Sequence, residues 1–147
     1  MVWVYLLIAL LAGALMPLQA GVNAQLSRWV GSTPAAALVS FAVGALGLFA
    51  YCAAVRAQFP PWGALASSPW WVWVGGLLGA FFVTAAASLA PRLGAATFIS
   101  LSIAGQMLVS ILLDQFGLVG FAQRPATPLR LLGALLLVAG VLLIRKF

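Results

Sequence analysis

The stretch GQMLVSILLDQFG, residues 105–117, holds Asp114, the only acidic side chain among 147 residues. Gln106, Ser110 and Asp114 follow one another at intervals of four, and Ser102 extends the series backwards. On a helix this spacing lays all four along one slowly drifting stripe. The positions around them, from 103 to 113, are apolar or glycine. A polar stripe on an otherwise apolar helix needs something wet or polar to face. The reading it favours is a cavity between membrane helices.

Composition sets the surroundings of that stripe. The chain is 65% hydrophobic and 5% charged, with a mean hydropathy of +1.20, where a soluble domain carries about 25% charged residues. Seven basic and one acidic side chain cannot build a water-facing surface. The chain is therefore read as an all-α integral membrane protein, a single domain over residues 1–147. A bundle of this size encloses little by itself, so a ligand site is expected to need a second subunit. The net charge of +6 does not point to nucleic acid, because no basic run exceeds two residues, Arg145 and Lys146. The spacing of the charges suits the ends of membrane spans. Cys52 is the single cysteine and histidine is absent, which excludes an intrachain disulfide and a thiolate cluster. With one carboxylate, no metal site, cofactor or acid–base pair is expected within a subunit, and enzyme activity is not expected.

A membrane helix needs roughly 20 apolar residues to cross about 30 Å of hydrocarbon. Five segments meet this, at approximately 3–24, 34–54, 70–89, 95–116 and 129–144. The first resembles a signal peptide but lacks a positive n-region and has too long an apolar run; it is read as a helix that stays. Pro17 falls inside it and favours a kink, with Gln19 and Asn23 as the nearby polar groups. Ser32 and Pro34 form a helix start. Ser40, Gly44 and Gly47 give the second span a small-residue face. Pro60 and Pro61 place residues 59–63 in a loop, and residues 90–94 read as a tight connection. Trp70, Trp71 and Trp73 are an interfacial anchor or, alternatively, the aromatic wall of a ligand site. Gly75 and Gly79 permit close helix packing. Gly133 and Gly140 suit a seam, within or between subunits.

Five spans place Arg56, Arg124 and Arg130 on one side, and Arg28, Arg92, Arg145 and Lys146 on the other. The N-terminal amine brings the count to four against four. Orientation follows the Lys/Arg bias of loops, and here there is almost none. Dual topology is expected, with oppositely inserted copies pairing about an axis in the membrane plane. The result is an antiparallel homodimer of ten helices. In such a pair, Gln19 and Asn23 of one copy lie at the depth of Asp114 of the other.

Asp114 has two readings. A carboxylate within a membrane is a functional hypothesis by default, and here it would hold a cation or exchange a proton. Alternatively it is an interfacial carboxylate, solvated by headgroups or paired with Arg124 or Arg130. Gln19, Asn23, Gln106 and Ser110 are neutral candidates for substrate contact, or for hydrogen bonds to a neighbouring helix.

The segments MPLQAGVNAQL (16–26), STPAAALVSFAVGALGL, WVGGLLGAFFVTAAASLAPRLGAATF, AGQMLVSILLDQFGLVG and PLRLLGALLLVAGVLL are similar to YdcZ-like proteins. These form a five-helix, domain-of-unknown-function branch of the drug/metabolite transporter superfamily. The resemblance covers essentially the whole chain; its most specific parts are the pair Gln19 and Asn23 and the GQ…DQFG block. It implies a multi-pass protein of the bacterial inner membrane, half of a ten-helix transporter, exporting small molecules. The related small multidrug exporters carry a glutamate in their first helix. This chain has only Gln19 and Asn23 there, so Asp114 does not simply inherit that role. The expected function is a secondary transporter with alternating access and proton or ion coupling. The alternatives are a dual-topology ion channel and a lipid-handling subunit.

Overall fold

In hydrocarbon a helix satisfies every interior backbone N–H and C=O locally, and the long runs of Leu, Ala and Val here adopt one. The computed structural model describes residues 2–147, and every regular element among them is helical. The helices are α1 (Val2–Val30), α2 (Thr33–Ala54), α3 (Trp62–Ala66), α4 (Val74–Leu93), α5 (Ala95–Phe116) and α6 (Pro128–Lys146). Short 3-10 turns, Trp70–Trp73 and Leu118–Gly120, lead into α4 and follow α5. Among the described residues, five helical stretches are long and apolar enough to cross a membrane: α1, α2, Trp70–Leu93, α5 and α6. Their outward faces are apolar, with Leu10, Leu46, Phe81 and Leu135 all exposed.

Several boundaries differ from the sequence reading. α1 continues to Val30 rather than ending near residue 24. Its 29 residues reach about 43 Å at 1.5 Å per residue, longer than the roughly 30 Å of hydrocarbon. Gln25, Ser27 and Arg28 do not stop it; Gly31 does, with a φ of +72°, the left-handed conformation that ends helices. Ser32 then caps α2 by accepting from the Ala35 amide at 3.4 Å, with Pro34 in the first turn. α4 runs through Pro91 to Leu93 instead of stopping at residue 89. Gly94, with a φ of +87°, makes the break, leaving a one-residue link to α5. The loop after Pro61 is shorter than expected, because α3 begins at Trp62 with Pro61 as its N-cap. Proline is disfavoured in a helix interior but fits its start.

The residues group into two compact units, Leu18–Pro91 and the remainder, up to Pro17 together with Arg92–Phe147. Both helices divided by this grouping carry a proline at the division, Pro17 in α1 and Pro91 in α4. Inside Leu18–Pro91 the buried positions are Ala20, Asn23, Ala24, Ala36, Ala37, Val83, Ala86, Ala87 and Ala90. Alanine lets helix backbones approach closely. Gly79 does the same for α4: an added Cβ there would meet the Phe41 ring of α2 at 3.5 Å. In the other unit α5 packs against α6, with Ile111, Ala134 and Val141 buried. Arg28, Arg92, Arg145 and Lys146 all sit in last turns, where positive charge complements the helix dipole.

Candidate functional site

Asp114 lies in the last turn of α5 and Arg130 in the first turn of α6. Each charge has the same sign as its own helix end, which is unfavourable alone. The hairpin resolves this by bringing them together: Arg130 Nη2 donates to Asp114 Oδ2 in an ion pair. Arg130 Nη1 also donates to the carbonyls of Arg124 at 3.1 Å and Pro125 at 3.4 Å. The loop is tied from the other side as well. Arg124 N donates to the Asp114 carbonyl at 2.7 Å, and Gln115 Oε1 accepts from Ala126 N at 2.6 Å. Gln123 Nε2 donates to the Gln115 carbonyl at 3.1 Å. Gly117, with a φ of +61°, turns the chain into this clasp. Of the two sequence readings of Asp114, the geometry fits the carboxylate paired with Arg130.

Above the clasp the α5–α6 seam has two different flanks. Ile111 and Ala134 lie between them and line both. One flank is a groove of about 590 Å³ lined by Leu108, Ile111, Leu112, Leu131, Leu135 and Val138 as well as Ala134, with no polar side chain. The other, about 440 Å³, is lined by Met107, Ser110, Ile111, Arg130, Gly133, Ala134 and Leu137. Positions 107, 110, 111 and 130, 133, 134, 137 follow helical i, i+3, i+4 spacing, so the polar residues share one flank.

A second polar groove lies within Leu18–Pro91. It encloses about 280 Å³ and is lined by Gln19, Ser40, Phe41, Gly44, Ala45 and Leu48. Gln19 is exposed, whereas Asn23, one turn further along α1, is 3% exposed. The Asn23 Nδ2 is buried without a hydrogen-bond partner. A buried amide left unpaired costs about 1–3 kcal/mol.

The serines mark the same two places. Ser27, Ser67, Ser68, Ser88, Ser100 and Ser102 donate to carbonyls three or four residues back, and Ser32 is a cap. The Ser40 and Ser110 hydroxyls make no hydrogen bond among the described residues, and each residue lines a polar groove. Ser40 was read as part of a packing face, and the signal that would have separated it was its register with Gln19 across the α1–α2 hairpin.

The remaining candidates are placed as follows. Gln106 is exposed and lines neither polar groove. Trp70, Trp71 and Trp73 are exposed on the 3-10 turn before α4 and line neither groove either. An added Cβ at Gly75, Gly133 or Gly140 would meet nothing within 4 Å, so these glycines do not seat a neighbour inside the chain. No cluster of three or more potential metal ligands occurs among the described residues.

The family model described as "Putative inner membrane exporter, YdcZ" matches residues 4–143. The "Inner membrane protein YdcZ" of Escherichia coli (strain K12) is 40% identical over 90 residues, 57% of this chain and 56% of that protein. The chain thus spans about half the length of the curated relative it matches. No solved structure matches it. With five membrane-length helices and a family match over nearly its whole length, the chain belongs to the YdcZ family of inner membrane proteins.

Proposed function

We propose that the chain is a secondary transporter that exports small organic or amphipathic solutes by alternating access, working as an antiparallel pair of ten helices. The observation that carries this reading is the pair of open polar grooves on helices that are otherwise apolar, one at Gln19 and Ser40, one at Ser110 and Arg130. Polar groups facing hydrocarbon without partners are costly, so such grooves fit a water-accessible path or a second subunit. The near-equal spread of basic residues supports both insertion directions. The open faces of Gly133 and Gly140 are suited to contact with a second copy. Asn23 is inside the fold, so of the pair Gln19 and Asn23 it is Gln19 that faces outward toward a partner or solute. Pro17 and Pro91 each interrupt the backbone hydrogen bonding of a long helix, where a helix can bend. Proton or ion coupling would have to involve Asp114, the only acidic side chain in the sequence.

The test starts from purified full-length protein. Thermal shift against a panel of small organic acids, amines and neutral polar compounds selects ligands. Those are carried into counterflow assays in proteoliposomes. Saturable counterflow is expected. Non-saturating current would make the protein a channel. Lipid scrambling without solute flux would make it a lipid-handling subunit, a reading the wholly apolar α5–α6 flank favours.

A further inference from the structure

We infer that the Ser110/Arg130 flank of the α5–α6 hairpin binds an amphipathic anion, with Arg130 holding the anionic head and Asp114 acting as its resident competitor. This rests on the transporter reading only for what the binding is for, not for the binding itself.

The sign of the ligand follows from the charge inventory. Asp114 is the one acidic side chain in the chain, and it is already engaged by Arg130. No other side-chain carboxylate exists to receive a cation. Asp114 is also the more covered partner, 22% exposed against 37% for Arg130, and it does not line the groove. The charge that does line the groove is positive.

Arg130 still has donors to give. Its Nη atoms serve Asp114, Arg124 and Pro125, while Nε has no partner among the described residues. A guanidinium carries five N–H donors in a planar fork suited to carboxylate and phosphate. Ser110 lies on the same flank with its hydroxyl unused. Arg124 is exposed on the adjoining loop, and its guanidinium also lacks a partner among the described residues. The rest of the flank is apolar: Met107, Gly133 and Leu137 leave room for a hydrocarbon body, within about 440 Å³. An anionic head with an apolar tail matches both ends.

Asp114 sets the affinity. A ligand headgroup must share or take the Arg130 donor that Asp114 occupies. Neutralising Asp114 should therefore strengthen binding, the opposite of what a cation site would show.

The experiment measures decanoate binding to the full chain in phosphatidylcholine nanodiscs by isothermal calorimetry, with decyltrimethylammonium as the cation of matched length. Expected are saturable decanoate binding, at least a tenfold loss in Arg130→Gln, and a several-fold gain in Asp114→Asn. Ser110→Ala should weaken binding by a few-fold. Arg130→Gln leaves Asp114 unpaired and is vulnerable to misfolding, so the double variant Arg130→Gln/Asp114→Asn repeats the test without a stranded charge and should not bind decanoate. Equal decanoate binding in wild type and the double variant overturns the inference. So does decyltrimethylammonium binding that Asp114→Asn abolishes. Phosphatidylglycerol in the disc distinguishes the source of the anion. Competition with decanoate, lost in the double variant, identifies a lipid headgroup as an occupant; its absence leaves the site to free amphiphiles. Decanoate binding without any counterflow would sustain this site and sink the exporter reading. Counterflow of other solutes without decanoate binding would do the reverse.

Discussion

In Leu18–Pro91 the polar side chains Gln19, Asn23 and Ser40 make no hydrogen bond among the described residues. In the α5–α6 hairpin Asp114, Gln115, Gln123 and Arg130 all have partners, supplied by the hairpin and its loop. The difference follows from charge. A charged side chain within a membrane costs about 2.5–3.5 kcal/mol on insertion scales. It is tolerable near a helix end when a counter-charge waits on the next helix. A neutral amide or hydroxyl is cheaper to leave open, since interhelical hydrogen bonds in membranes average only about 0.6 kcal/mol. The charged pair and the loop glutamines of the hairpin therefore hold its own structure first, whereas Gln19 and Ser40 of Leu18–Pro91, which line an open groove, remain available to a solute or a second copy.

The largest effect expected from this contrast is at the ion pair. Arg130→Gln should lower stability by about 1–3 kcal/mol, because it strands a mostly covered carboxylate. Adding Asp114→Asn should recover most of that loss. Melting of detergent-solubilised protein, followed by size-exclusion chromatography, reads both; equal stability of the single variant and wild type would mean that the two charges are solvated independently. Gly117→Ala comes next. Its φ of +61° and an added Cβ at 3.4 Å from Gln123 Cβ should cost about 1–2 kcal/mol, seen as a lower melting midpoint and as faster proteolysis in the loop. Asn23→Ala should do the opposite of the hairpin variants, leaving stability unchanged or raised by up to about 1 kcal/mol, since it removes an unpaired buried amide. A marked destabilisation there would show that Asn23 has a structural partner, and the contrast between the regions would fail. The smallest effects belong to Ser40→Ala and Ser110→Ala, each within about 0.5 kcal/mol of wild type. Any transport defect in them would then be attributable to the grooves.

The helical, membrane-spanning architecture was legible because hydropathy and span length dominate a chain with eight charged residues. Ser32 was legible as a cap, now seen accepting from the Ala35 amide at 3.4 Å, because a cap is local in sequence. The ends of α1 and α4 were not. Polar residues such as Gln25 and Arg28 read as exits from the membrane, yet the helix itself stops only where glycine takes a positive φ. Asp114 stood out as the single acid, and Arg130 was one of two partners offered for it. The choice between Arg124 and Arg130 needed the fold of the loop, in which the Arg124 backbone rather than its side chain reaches Asp114. Ser110 was singled out by its stripe, whereas Ser40 was missed, because its groove depends on register between two helices.

The central claim is a transporter formed by oppositely inserted copies, and the most direct measurement is orientation. In a Cys52→Ala background, single cysteines replace Trp29 and Phe147, which are 89% and 93% exposed and which five spans place on the same side. Intact spheroplasts are labelled with an impermeant maleimide and the labelled fraction is compared with that in permeabilised cells. The account predicts about half of the copies labelled at both positions, with one added lysine shifting the fraction strongly. Complete labelling or none, at both positions and unmoved by charge, would contradict it.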